Sequence, residues 1–109
     1  MRRAMSEQTI YNALRAGGLS LAGACAMMGN MWAESGLRSN NVQDNCPMSD
    51  SDYTYNVDHG IMTKWQFETD RYGYGLCQWT ERSRKAKLRA FARSRGVSIG
   101  DRRMQVDFT

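Results

Sequence analysis

Glu34 is the residue whose position most suggests chemistry. It lies in Gly29-Asn30-Met31-Trp32-Ala33-Glu34-Ser35-Gly36, where an apolar helical segment runs into a glycine stop. A carboxylate in a last helical turn faces the negative end of the helix dipole, which disfavours its charged form. Trp32 and Leu37 are near enough in sequence to add desolvation. A carboxyl group that keeps its proton near neutrality suits general-acid work, such as protonating the leaving oxygen of a glycoside. Helix ends prefer cations, so an acid here is locally out of place. The plain alternative is a solvated helix-end glutamate, and on Glu34 alone both readings stand.

A second stretch, Gly73-Tyr74-Gly75-Leu76-Cys77-Gln78-Trp79-Thr80, is expected to complete a cleft with the first. Its glycines let backbone approach a bound chain, with Tyr72 and Tyr74 as aromatic surface beside it. Gln78 and Trp79 offer an amide and an indole, suited to N-acetyl and sugar-face contacts. Tyr74, Leu76 and Trp79 are equally suited to packing on a helix, with Leu76 expected in the core and Gln78 at the cleft. Ser35 either orients Glu34 by a hydrogen bond or satisfies the helix end. Carboxylates that could act with Glu34 are Asp44, Asp50, Asp52, Asp58 and Asp70, all in the polar middle of the chain. Either of the last two could instead cap a turn.

The elements that must position these groups read as mainly helical. Ser6 is expected to cap a first helix over residues 7–16, with Ile10 and Leu14 on its apolar stripe and Gly17-Gly18 as its stop. Ser20 caps a second over residues 21–34. Leu21, Cys25, Met28 and Trp32 form its stripe, with Ala22, Ala24, Ala26, Met27 and Met31 on the other sides. A helix apolar on nearly every side is expected to be central, which makes Cys25 a core residue.

Residues 37–71 change character. Asn40, Asn41, Asp44, Asn45, Pro47, Ser49 and Asp50 make them turn-rich and poorly helical. Tyr53-Thr54-Tyr55 and Thr63-Lys64-Trp65-Gln66-Phe67 are the candidate extended pieces of one small hairpin. A connection this long in a compact domain is usually functional. Thr80 or Glu81 opens a third helix that Gly96 ends, with an apolar stripe of Ala86, Leu88, Phe91 and Ala92. Arg82, Arg84, Lys85, Lys87, Arg89, Arg93 and Arg95 cover the rest of it, a face most simply read as solvated. Ser98 or Asp101 starts a last helical segment carrying Met104, Val106 and Phe108. The chain ends inside it, so truncation at the C-terminus is one reading of the domain.

At 109 residues the chain is long enough for one domain, residues 1–109. Hydrophobic residues at 41% argue against disorder. A net charge of +4 points to a polyanionic partner without choosing among nucleic acid, anionic wall and membrane surface. Met1-Arg2-Arg3 lacks a following apolar run, so neither a secretion signal nor a membrane span is expected. Synthesis in a cytoplasm is expected, with any action outside needing another route. Cys25, Cys46 and Cys77 lack metal spacing and His59 is the lone histidine, so no metal and no cofactor is expected. A Cys46–Cys77 bridge is left open.

Motifs throughout the chain resemble the phage tail lysozyme family. They begin with Ile10-Tyr11-Asn12-Ala13-Leu14, Leu19-Ser20-x-Ala22-Gly23-Ala24 and Gly29-Asn30-x-x-Ala33-Glu34-Ser35-Gly36-Leu37. They continue through Tyr53-Thr54, Val57-Asp58-x-Gly60, Phe67-x-x-Asp70, Gly73-Tyr74-Gly75-Leu76-x-Gln78-Trp79-Thr80 and Ser83-Arg84-Lys85. They close with Gly96-Val97-Ser98-Ile99-Gly100-Asp101 and Met104-Gln105. The resemblance implies a small, mainly α, lysozyme-like domain with at most a small hairpin, related in plan to goose-type lysozymes and lytic transglycosylases. It implies Glu34 as catalytic acid for the bond between N-acetylmuramic acid and N-acetylglucosamine in peptidoglycan. Asp70 and Asp58 are the favoured second carboxylates because both fall on the family pattern. Ser35, Tyr72, Tyr74, Gln78 and Trp79 are the expected substrate contacts. A lytic transglycosylase giving a 1,6-anhydro product, or a non-catalytic glycan- or nucleic-acid-binding module, are the competing readings. The expected protein is a monomer, free or within a phage tail or secretion assembly, acting on the wall from a virion or at lysis, with no nucleic-acid partner.

Overall fold

The computed structural model describes the backbone of residues 2–108 and the side chains of residues 7–108 apart from Ala22. Six helices follow one another: α1 (Arg2–Ala16), α2 (Leu21–Ser35), α3 (Asp50–Asp58), α4 (Lys64–Thr69), α5 (Arg82–Arg95) and α6 (Arg102–Phe108). The fold is mainly α, as expected. Extended pairing among the described residues amounts to two isolated antiparallel bridges, Val42 with Tyr74 and Tyr74 with Trp79. No helix of the described residues is long and apolar enough to cross a membrane.

Capping explains most of the boundaries. The Ser20 hydroxyl accepts the Gly23 N–H at 3.0 Å, which opens α2. Gly36 and Gly96 close α2 and α5 in the left-handed region, at φ 62° and 66°. α1 opens at Arg2, earlier than expected, and capping by the Ser6 side chain lies outside the described residues.

The middle of the chain departs from expectation. Tyr53-Thr54-Tyr55 is helical rather than extended, because Ser49 accepts the Asp52 N–H and Asp50 and Asp52 sit in the first turn of α3. Thr63 and Gln66 form a reciprocal capping box that starts α4, so the second candidate strand is helical too. The hairpin expected between them is absent. A tight turn at residues 74–79 provides the pairing instead.

α2 is also not the central helix. Its inner face is Ala24, Met31 and Ser35, whereas Leu21 and Trp32 are 57% and 48% exposed and Cys25 is exposed. α6 takes the interior: Met104, Gln105 and Val106 are consecutive and all buried. Met104 belongs to a cluster with Tyr53, Phe67, Tyr74, Trp79 and Leu88, and Val106 to one with Ile10, Leu14, Met31 and Leu76. With the interior occupied by α6, α2 needs only one apolar face, the one turned towards α1.

Lys85, expected on the solvated face of α5, is fully buried. Its ammonium donates to Asp70 Oδ1 at 2.6 Å, to the Tyr72 carbonyl at 2.9 Å and to the Tyr53 hydroxyl at 3.2 Å. Tyr53 in turn donates to Asp70 Oδ2. The Phe67 ring lies under the ammonium at 4.4 Å. Burial lowers the Lys85 pKa from its ordinary value, with Asp70 opposing, and burial followed by the Asp70 contact raises that of Tyr53. Burial raises Tyr74 as well.

Two outcomes follow from this network. Lys85→Met leaves Asp70 without its cation and is expected to lower stability by about 3–5 kcal/mol, measured by urea unfolding. The raised tyrosines stay protonated in the folded chain when the unfolded chain ionises, at about pH 10. The stability they contribute is fully present below that pH and is lost as pH rises beyond it. Lys85 works the other way, since its lowered value makes stability rise with pH below about 10.4, where the unfolded lysine still holds its proton. The urea midpoint should therefore fall above pH 10, and less steeply in Tyr53→Phe.

Candidate active site

α2 carries Glu34 to the position just before its last residue, and Gly36 and Leu37, at φ 62° and 64°, turn the chain away. Leu37 is held there by burial beside Met31 and Leu76. Glu34 is exposed and lines an open cleft of about 520 Å³. Gln78 and Thr80 form one part of its wall, and Asn41, Gln43, Asp44 and Asn45 the other. The two stretches expected to make a cleft thus meet at Glu34 and Gln78. The desolvating cover expected from Trp32 is not formed, since that ring is half exposed.

The second stretch is folded by backbone bonds on both sides. Tyr74 and Trp79 exchange N–H to carbonyl bonds at 3.1 and 2.9 Å, and the Gln78 N–H closes the turn on the Gly75 carbonyl. On the other flank Gln43 N–H donates to the Gly73 carbonyl at 2.8 Å, and Gly75 N–H to the Asn41 carbonyl at 2.8 Å. Gln78 adopts φ 48°, and its amide donates to the Asn41 and Gly75 carbonyls at 2.9 and 3.0 Å. Left-handed non-glycine residues persist where surrounding bonds over-determine them. Burial first, and the negative charge of Glu34 second, push the Cys77 thiol up, so this turn lies within electrostatic reach of Glu34.

Other residues expected at the site are placed differently. Tyr74 is fully buried, stacked on Tyr53 at 5.4 Å and hydrogen-bonded to Thr54, so its ring is not open to a sugar. Trp79 is 7% exposed and packs edge-on against Phe108. Tyr72 is half-buried, with its carbonyl on Lys85, and lines a different depression together with Asp70 and Cys46. Ser35 is buried and donates to the Met31 carbonyl at 2.8 Å, which satisfies the helix end. Asp70 is engaged by Lys85, Tyr53 and the Tyr72 N–H. Asp58 accepts from the Ile99 N–H at 2.8 Å and from the Ser98 hydroxyl, tying α3 to the loop before α6. Neither aspartate lines the Glu34 cleft.

Asp44 does line it, and with Glu34 it makes the acid pair of that cleft. The signal for Asp44, and for Asn41, Gln43 and Asn45, was the long polar connection after Gly36. A larger depression of about 650 Å³ is lined by residues 36–40 and 100–102 among others. Its one carboxylate, Asp101, accepts the Met104 N–H at the start of α6, so the acid pair and not the volume marks the site. The three cysteines are free thiols. No group of three His, Cys, Asp or Glu residues is arranged to hold a metal ion among the described residues.

Six helices, almost no strand, and a helix-end glutamate opening into a polar cleft define a small lysozyme-like helical domain. The phage tail lysozyme family model matches residues 6–109, nearly the whole chain, and the chain belongs to that family. Membership makes it, at a coarse level, a lysozyme-type protein of peptidoglycan degradation. No curated protein and no solved structure matches it.

The turn that carries Gln78 depends on Gly75. Its φ of 82° disfavours any side chain, and a Cβ there would meet Gln105 Oε1 at 2.6 Å. That oxygen accepts the Leu76 N–H at 2.9 Å. Gly75→Ala is expected to cost more than about 1 kcal/mol in urea unfolding and to lower activity on cell walls in the chain that remains folded.

Proposed function

We propose that the protein is a muramidase, cleaving the β-1,4 bond between N-acetylmuramic acid and N-acetylglucosamine in peptidoglycan, with Glu34 as general acid. The observation that carries the reading is the pairing of Glu34 with Asp44 in one open polar cleft whose walls are otherwise amides and a hydroxyl. The Asn45 amide, with the amide nitrogen of Gln43 and the amide oxygen of Gln78, suits the hydroxyl and N-acetyl groups of a glycan strand, while the Gln78 N–H groups hold the turn. The open form of the cleft suits a polymer, which must enter from the side.

In this reading Glu34 protonates the leaving glycosidic oxygen as positive charge develops on the sugar ring. Its place at the end of α2 presents the carboxyl to the open cleft, where a glycan oxygen can reach it. Asp44 supplies the opposing negative charge that stabilises the oxocarbenium-like centre, and water adding to that carbon, its proton passing to a carboxylate of the cleft, completes the hydrolysis. Asp70 and Asp58, whose oxygens are spent on Lys85 and on the Ser98–Ile99 segment, act as structural ties rather than as the second carboxylate.

Purified cell walls and a turbidity assay test this. Glu34→Gln is expected to lose activity by about 10²–10⁴-fold while unfolding at the parent's urea midpoint. Asp44→Asn should lose activity with the fold kept, whereas Asp58→Asn should show its effect in stability. Clearing by Glu34→Gln at the parent's rate sinks the proposal. Mass spectrometry of the released muropeptides sets the reaction type. A reducing-end muramic acid means hydrolysis, a 1,6-anhydro product means transglycosylation, and no product from the parent overturns both.

A further inference from the structure

The cleft wall carries two side-chain amides whose orientations are set by backbone groups. Residues 41–43 and 73–75 run antiparallel, with the Gln43 N–H on the Gly73 carbonyl and the Gly75 N–H on the Asn41 carbonyl. Val42 and Tyr74 are bridged to each other and buried, so alternation puts Asn41, Gln43, Gly73 and Gly75 on the opposite face. On that face Asn41 and Gln43 line the cleft with Gln78 and Thr80. Gly73 has no side chain to offer there. A Cβ on it would meet Gln78 Oε1 at 2.9 Å and Thr80 Oγ1 at 3.2 Å.

Gln43 and Gln78 are anchored by opposite ends. Gln43 Oε1 accepts the Gly73 N–H at 2.9 Å, which leaves its Nε2 as a donor. Gln78 Nε2 donates to the Asn41 and Gly75 carbonyls, which leaves its Oε1 as an acceptor. Neither amide can be turned over, since an NH2 group would then face an N–H, or an oxygen two carbonyls. Neither remaining end has a hydrogen-bond partner among the described residues. Bracing the wall accounts for one end of each amide and not for the other. Both side chains close on Gly73, Gln43 through the Gly73 N–H and Gln78 through the approach that the missing Cβ allows. The wall therefore offers one fixed donor and one fixed acceptor about a single residue.

That pair matches a secondary amide. A sugar hydroxyl rotates to suit a donor or an acceptor, so it needs no fixed pair. An acetamido group is planar, with its N–H and its carbonyl held on opposite edges, and needs one acceptor and one donor at set places. We propose that Gln43 and Gln78 together read one acetamido group of the glycan. Gln43 Nε2 donates to its carbonyl and Gln78 Oε1 accepts its N–H. Gln43 is thereby a specificity-determining residue, and the cleft selects sugars bearing an acetamido group over those with a hydroxyl in its place. The inference rests on the reading of the Glu34 cleft as a glycan site, and it concerns selection rather than bond cleavage.

Titration calorimetry of the Glu34→Gln chain, which leaves the ligand uncut, compares tetra-N-acetylchitotetraose with cellotetraose. Both oligomers are neutral and β-1,4-linked, and they differ by an acetamido group against a hydroxyl, so the charge of the cleft does not bias the comparison. The acetamido oligomer is expected to bind more tightly by about tenfold. Gln43→Glu in the same background keeps an oxygen on the Gly73 N–H and replaces the donor by a second oxygen. The preference should vanish there, because the acetamido carbonyl meets an acceptor. Gln43 is exposed, so the urea midpoint is expected to stay at the parent's value. Should it fall, Gln43→Met, which removes the donor without adding charge, takes its place with the same expectation. Equal affinity for the two oligomers, or binding of neither, overturns the proposal, and so does a preference that survives the change at Gln43. Muropeptide release by the parent together with equal oligomer affinity sinks this selection and leaves the muramidase reading standing. No release by the parent, with an acetamido preference that depends on Gln43, sinks the muramidase reading and leaves the selection.

Discussion

The architecture depends on a buried ammonium group. Lys85 has no access to water, so each of its three N–H bonds needs a protein acceptor. It finds them in Asp70 at the end of α4, Tyr53 in α3 and the Tyr72 carbonyl just before the glycine-rich turn. One side chain of α5 thereby sets where two other helices lie and where the chain enters the cleft wall. A mispositioned acceptor would leave a charge or a dipole unpaired in the interior. Few alternative packings of this region therefore compete with the one observed.

A second buried polar group holds the far side of the same wall. Gln105, fully buried in α6, accepts the Leu76 N–H and donates to the Ser39 and Ile99 carbonyls at 2.6 and 2.8 Å. The turn between Tyr74 and Trp79 is thus suspended between Lys85 at one end and Gln105 in its middle. The connection of residues 41–43 is bonded along its flank. With almost no sheet to stiffen it, the cleft owes its shape to these buried polar contacts. Glu34 itself needs little more than the end of α2, because Gly36 and Leu37 direct the chain onward. The domain separates a rigid polar wall from an exposed acid facing it. Seven of its fifteen lysines and arginines lie on α5, and none of them lines the cleft.

Much of this was legible from local chemistry. Ser20, Gly36 and Gly96 mark helix ends because a hydroxyl cap and a left-handed glycine act within a few residues of themselves. The signals for α3 and α4 were also local: Ser49 with Asp50 and Asp52, and Thr63 with Gln66. They were outweighed by the aromatic and β-branched residues that followed. Tyr53 and Thr63–Phe67 read as extended pieces for that reason, although Tyr53 and Val57 share the spacing of a buried helical face. Lys85 falls at helical spacing with Leu88 and Ala92, so its burial had a signal too, but its charge argued for the surface.

The amino-acid sequence by itself determined that this is a mainly helical domain with an acid at the end of its second helix, and its motifs carried the family. Those properties rest on residues near one another in the chain, or on residue types that keep their meaning anywhere. Only the tertiary structure decided which helix is central, and it chose α6 over α2. It also decided that Tyr74 and Trp79 belong to the core, that Asp70 and Asp58 are tied to other partners, and that Asp44 faces the cleft with Glu34. Each of these depends on which of several chemically similar groups is brought near a partner distant in sequence. Five aspartates in one polar region are alike until folding gives one a lysine, one a loop and one an open cleft.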